Sequence, residues 1–266
     1  MSDPFKIEGP ALISFSGGRT SGYMLWRILQ AHGGTLPRDV VPIFANTGRE
    51  MPATLNFVND CSSRWNVRIE WVEYRSAERP QDRWRYISDM DTPSINGEPF
   101  AAMIRDKKYL PNPVARICTV NLKLKPMESY ARWLGWDDYL NVVGLRADEP
   151  SRVARMRGTH AVPLAVAGIT KPDVMRFWKS MDFDLALPPG WGNCDLCFLK
   201  SAAQIQAMMR DVPRLADWWI AQEQQRGTFR SDRPPYAEMF KAVKEQRTFD
   251  FGKRDELIDC FCGDAA

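Results

Sequence analysis

The sequence predicts an α/β fold: an open, mostly parallel sheet of about five strands with helices on both faces, followed by a helical C-terminal lobe. Three observations carry that prediction. Short apolar runs alternate with segments of helical spacing over residues 1–170, the pattern of consecutive βαβ units. A glycine pair, Gly17-Gly18, stands at the first junction from strand to helix. Beyond Lys171 the apolar spacing is helical throughout. Two units are therefore expected, a nucleotide-binding α/β domain over 1–170 and a helical region over 171–266.

The elements follow in order. Ala11 to Phe15 is a buried first strand, and Met24, Leu25, Ile28 and Leu29 lie on one face of the helix after the glycine turn. Val40 to Ala45 reads as a second strand and Ala53 to Trp65 as a helix with Leu55, Val58 and Cys61 inward. Val67, Ile69 and Trp71 alternate like a third strand. Ser76 to Pro113 breaks into polar, Pro-containing sequence, the mark of a long functional excursion at the mouth of the sheet. A helix through Met127, Tyr130 and Leu134 leads into a strand over Tyr139 to Leu145, and Ala161 to Leu164 forms a last short strand. Helices are expected at Lys171 to Met181, Ser201 to Val212, Leu215 to Arg226 and Tyr236 to Glu245.

Composition narrows the class. With 44% hydrophobic and 26% charged residues in 266, the chain is an ordinary globular protein. A net charge of +3 is too small to argue for nucleic acid by itself. The start Met1-Ser2-Asp3-Pro4 has no basic, then apolar, leader, and no apolar run reaches membrane-spanning length. A cytoplasmic protein without a membrane partner is expected. There, clustered thiols mean metal or redox chemistry more often than disulfides.

The loop Ser16-Gly17-Gly18-Arg19-Thr20-Ser21 holds the first chemistry. A glycine pair lets the backbone fold tightly, so that amides and the positive end of a helix dipole converge on an anion, with the Ser16, Thr20 and Ser21 hydroxyls as further donors. The competing reading is a plain turn with Thr20 or Ser21 as N-cap. Arg146, Arg152, Arg155 and Arg157 follow a predicted strand, and guanidinium groups suit phosphate or sulfate; the alternative is pairing with Asp148 and Glu149.

Ser-Gly-Gly-x-x-Ser after the first strand resembles the pyrophosphate loop (PP-loop) of the adenine nucleotide alpha-hydrolase superfamily, which includes the phosphoadenylylsulfate (PAPS) reductases. Asn46-Thr47-Gly48 resembles the Asp-Thr-Gly segment of the PAPS reductase branch, and the Gly144 to Arg152 stretch resembles its Gly-x-Arg segment. The resemblance covers most of residues 11–200. It implies an adenine nucleotide, ATP or PAPS, bound by Ser16 to Ser21, Asn46, Thr47, Gly48, Gly144, Arg146 and Arg152; Lys123, beside Cys118, is a further candidate for the nucleotide phosphate or a cluster sulfide, against the alternative of a solvated helix face. Many ATP-using members carry Asp where Thr20 stands, so a magnesium contact loses one ligand here.

Cys194-x-x-Cys197 precedes a predicted helix, and the C-terminus supplies Cys260-x-Cys262. Two close thiolate pairs suit zinc and an iron–sulfur cluster alike. Cys118 lies in Arg116-Ile117-Cys118-Thr119, ahead of Lys123, Lys125 and Pro126, and this segment resembles the Cys-Cys-x-x-Arg-Lys-x-x-Pro segment of cluster-bearing sulfonucleotide reductases and DNA phosphorothioation proteins. That resemblance implies a 4Fe-4S cluster on Cys118, Cys194, Cys197 and one of the last two thiols, taken as Cys260 with Cys262 left as nucleophile; the alternative has both Cys260 and Cys262 as ligands and Cys118 in the core. Cys262-Gly263 matches only part of the reductases' C-terminal Glu-Cys-Gly-x-His. Cys61 belongs to packing, His32 and His160 to structure or surface, and Trp178, Trp191, Trp218 and Trp219 to a helical core.

The expected activity is sulfur reduction or transfer from a sulfonucleotide, served by a reductant or sulfur-donor protein. The alternatives are ATP-dependent, AMP-forming thiolation of a nucleic acid or other acceptor, and a non-catalytic nucleotide or nucleic-acid binder with structural zinc.

Overall fold

The computed structural model describes residues 3–156 and 158–245. One sheet runs through β1 (Ala11–Ser14), β2 (Val40–Asn46), β3 (Glu70–Glu73), β4 (Arg85–Ile87), β5 (Leu140–Val143) and β6 (His160–Ala161). Its order is β4-β3-β2-β1-β5-β6, parallel everywhere except between β3 and β4. From β1 the chain builds outward through β2 and β3, then returns to lay β5 against the other side of β1. That reversal opens a crevice beyond the carboxyl ends of β1 and β5, where such sheets bind ligands.

Both faces of the sheet are covered, which is why its central strands read as apolar runs rather than as alternating sequence. Ala11 and Ile13 enter the core shared with α1 (Arg19–Ala31), α2 (Pro52–Arg64) and α7 (Lys171–Ser180). Leu12 points the other way, into the core shared with Met127, Tyr130 and Ala131 of α4 (Lys125–Trp133). A third core joins α3 (Glu98–Lys107), α8 (Ala202–Asp211), α9 (Leu215–Arg226) and α10 (Tyr236–Lys244) to Leu196, Phe198 and Leu199. Packing thus cuts across chain order: α7 lies on the sheet, and α3 lies in the helical lobe.

Trp178 and Trp219 are fully buried, and burial of each such ring stabilises by roughly 1.5–3 kcal/mol. Cys61 is buried in the first core, where lost hydration pushes its thiol well above the usual range.

The excursion between Ser76 and Pro113 is more regular than its composition implies. It holds β4 and α3. β4 is only three residues long, held at the sheet edge by the Arg85–Glu73 ion pair at 2.6 Å and by the Tyr86 hydroxyl on Glu70 at 2.6 Å. No periodicity shows in so short a strand. The third strand begins at Glu70 rather than Val67, and the last ends at Ala161 because Pro163 starts the short helix α6 (Pro163–Val166). Between them α5 (Pro150–Met156) follows the β5 turn. No helix among the described residues is long and apolar enough to cross a membrane.

Candidate functional site

The first crossover is built for close approach. Gly17 has φ +77°, and a Cβ there would stand 2.6 Å from Thr54 Cγ2, so both conformation and space demand glycine. Gly18 N-caps α1 in extended conformation, with no side-chain cap and no acidic residue in the first turn. The N-cap is therefore Gly18 and neither Thr20 nor Ser21, which leaves the helix end open to an anion. Ser21 closes the loop instead: its Oγ accepts from the Ser16 amide at 3.1 Å and donates to the Gly18 carbonyl at 2.9 Å.

Ser16, Gly17, Gly18, Arg19, Thr20 and Arg146 line one cavity, together with Lys171 at the start of α7 and with Gly190, Gly192 and Asn193. Arg146 donates to Thr20 Oγ1 at 3.1 Å and pairs with Asp148 at 3.0 Å. Gly144 backs onto Ser21, whose Cα lies 3.4 Å from where a Cβ would be. The Arg19 guanidinium is bound to Asp184 at 2.7 and 2.9 Å, while the Arg19 carbonyl accepts from Trp178 Nε1 at 2.8 Å. Arg152 pairs with Glu149 and does not line the cavity. Arg157 lies outside the described residues.

The segment after β2 is drawn inward. Asn46 is fully buried and donates to Glu73 at 2.6 Å and to the Ser94 carbonyl at 2.9 Å. Thr47 gives its amide and hydroxyl to Glu50, and its Oγ1 is 3.4 Å from Cys194 Sγ. Gly48, at φ +76°, packs where a Cβ would meet Pro99 at 2.9 Å. Burial raises the Glu50 carboxyl above its ordinary range, against the opposing charge of Lys123.

The Cys194–Cys197 loop is held by its backbone. Lys200 Nζ donates to the Gly192 carbonyl at 2.5 Å and the Cys194 carbonyl at 2.9 Å, and the Tyr236 hydroxyl donates to the Leu196 carbonyl at 2.5 Å. Asp195 is locked between Arg49 and Trp219 Nε1, the latter at 2.7 Å. Burial, with Glu50 adding to it, raises the Cys194 thiol well above the usual range, and Lys123 opposes this. Cys118, which precedes a π-helical turn at Thr119–Leu124, borders the same apolar core as Cys194 and Cys197. Among the described residues no three His, Cys, Asp or Glu side chains are grouped to hold a metal ion. Cys260 and Cys262 lie outside the described residues.

Lys123 lines a second, largely apolar cleft with Phe44, Leu124, Met127, Val143 and His160. His160, expected as structural or surface, thus reaches a cleft, and partial burial lowers its pKa. Sequence reasoning missed Lys171, Glu50 and the Arg49–Asp195 pair. A basic residue opening a helix in Thr170-Lys171-Pro172-Asp173, soon after the last strand, was the signal for the first; no local signal marked the others.

No family model matches the chain. The nin region protein ORF290 of Escherichia phage lambda is 32% identical to it over 206 residues, which span 75% of this chain and 69% of that one. This chain belongs to the ORF290 family. The protein MJ0066 of Methanocaldococcus jannaschii is 22% identical over 227 residues, and the match spans 80% of this ORF290-family chain but 41% of that protein. Among solved structures, a phosphoadenylyl-sulfate (PAPS) reductase from Candida auris, in complex with phosphate, superposes with a TM-score of 0.42 at 13% identity. That superposition covers 67% of the ORF290-family chain and 79% of the reductase.

Proposed function

We propose that the protein is a PAPS reductase-like enzyme, which binds an adenine nucleotide on the Ser16–Ser21 loop beside a cysteine-held 4Fe-4S cluster and catalyses sulfur reduction or transfer. One juxtaposition carries the reading. The cavity lined by the loop is also lined by Gly190, Gly192 and Asn193, the last two of which run directly into Cys194. A polyanion on the loop would therefore lie next to the thiol segment.

The amides of the loop, the open end of α1 and Arg146 would hold the phosphates, and Arg146 supplies positive charge at Thr20. Cys197 lies in the apolar core of the helical lobe and Cys118 and Cys194 pack against it, a shell that would limit solvent access to a metal centre there. The three cysteines would hold the cluster with Cys260. When bound, such a cluster supplies a redox-active, electron-accepting centre beside the nucleotide. In the reductive reaction the Cys262 thiolate attacks the substrate's sulfur and the sulfur–oxygen bond breaks. Adenosine bisphosphate leaves with the bonding electron pair, and a thiol reductant then releases sulfite from the enzyme.

The test is anaerobic purification with iron and sulfide analysis and a visible spectrum, followed by assays of sulfite from PAPS and pyrophosphate from ATP. A brown protein that forms sulfite supports the reading. A colourless zinc protein that forms neither product overturns it, and pyrophosphate without sulfite replaces it with ATP-dependent thiolation.

A further inference from the structure

We propose that Lys171 is the specificity-determining residue of the loop cavity, gripping the second of two linked acid groups and so favouring a diphosphate or phosphosulfate over a single phosphate. The inference rests on reading the cavity as the nucleotide's anion site and adds a residue and a selectivity to it.

The argument begins with which charges in the cavity are already compensated. Arg19 is held by both oxygens of Asp184 and by the Leu185 carbonyl at 2.5 Å. Arg146 is held by Asp148 at 3.0 Å and faces Glu149 at 3.6 Å. Each therefore meets an anion with part of its charge already offset by a carboxylate of the protein. Lys171 lines the same cavity, is exposed, and makes no ion pair among the described residues. An anion entering here therefore finds its uncompensated side-chain charge at Lys171.

Position matters as much as charge. Lys171 opens α7, whereas the loop amides belong to the start of α1. The two starts share one cavity. The start of α7 is capped by carboxylates: Asp173 accepts from the Thr170 amide at 3.0 Å and from the Thr170 hydroxyl at 2.6 Å, and Asp148, from the turn after β5, accepts from the Lys171 amide at 3.3 Å. With those amides engaged by carboxylates, attraction at this wall comes from the Lys171 ammonium rather than from the helix end. With one acid group on the α1 amides, Lys171 remains in the same cavity for a second group linked to it.

Binding of inorganic pyrophosphate and inorganic phosphate is measured by calorimetry on the full chain, for wild type, Lys171→Met, Lys171→Arg and Lys179→Met, and binding of ATP and PAPS is measured for wild type. Loss of one charge-assisted contact predicts about a tenfold or greater loss of pyrophosphate affinity in Lys171→Met. Phosphate affinity should hardly change, Lys171→Arg should restore the preference, and Lys179→Met, which removes an exposed charge outside the cavity, should behave as wild type. Equal pyrophosphate binding by Lys171→Met and wild type overturns the inference and leaves the nucleotide reading standing. So does a wild type that binds ATP or PAPS but shows no preference for pyrophosphate. A wild type that binds none of the four ligands sinks both.

Discussion

Arg49 and Asp195 form a buried ion pair that ties the turn after β2 to the middle of the Cys194–Cys197 segment. The same two residues share a backbone bond, Asp195 N to the Arg49 carbonyl at 2.8 Å, and Arg49 lies 5.1 Å from the Trp218 ring. The turn that leaves β2 therefore sets where the thiol loop stands. Its distance from the anion cavity is a property of the α/β core and the helical lobe together.

Removing one charge of that pair should be costly. In Asp195→Asn the amide oxygen still accepts from Trp219, but the Arg49 guanidinium is left buried and uncompensated. Breaking a buried pair on one side costs about 3–5 kcal/mol. Urea unfolding of Asp195→Asn, Arg49→Met and the double variant should show that loss in each single change, and the double variant, which keeps an acceptor for Trp219, should recover much of it. Additive losses in the double variant would mean that the pair is not coupled.

Gly17→Ala places a methyl group on a left-handed backbone and 2.6 Å from Thr54 Cγ2. The conformational and packing terms together cost about 2–4 kcal/mol. Thr54→Ser removes the opposing methyl, so the pair Gly17→Ala with Thr54→Ser should regain stability while pyrophosphate binding stays weak, because the backbone amides remain displaced. Unchanged pyrophosphate affinity in a folded Gly17→Ala variant would take the loop out of anion binding.

Glu50 gives the protein a pH dependence of definite sign. Its carboxyl is raised above the ordinary 4.5, chiefly by burial. The folded state thus binds a proton that the unfolded state has lost, and stability contributed below pH 4.5 falls as pH rises toward the raised value. Glu50→Gln should remove this slope. The stability difference between variant and wild type, measured by urea unfolding, should move in favour of the variant as pH rises from about 5 to 8. A difference that is flat across that range would show that burial does not govern the group.

Much of the architecture was legible in the chain because its signals are local. The strands β1, β2 and β5 and the helices α1, α2 and α7 to α10 announce themselves through apolar spacing, and the glycine pair marks the first crossover. β4 and α3 were not legible: three residues cannot display a period, and α3 starts only where Gly97, at φ +85°, packs against Trp218 in a distant helix. The site divides in the same way. Ser16 to Ser21 and Cys194 to Cys197 are contiguous and readable, whereas Asn46 and Arg152 kept their residue types but have partners within the protein.

By itself the sequence determined an α/β sheet, the loop at its first crossover and the thiol pairs, since each depends on neighbours within a few positions. Only the tertiary structure decided that the loop cavity ends at the residues before Cys194, that Lys171 faces it, and that Arg49 meets Asp195 across 146 positions. Those relationships come from packing two cores against each other, and the free energy of such contacts leaves no pattern in any one stretch of chain.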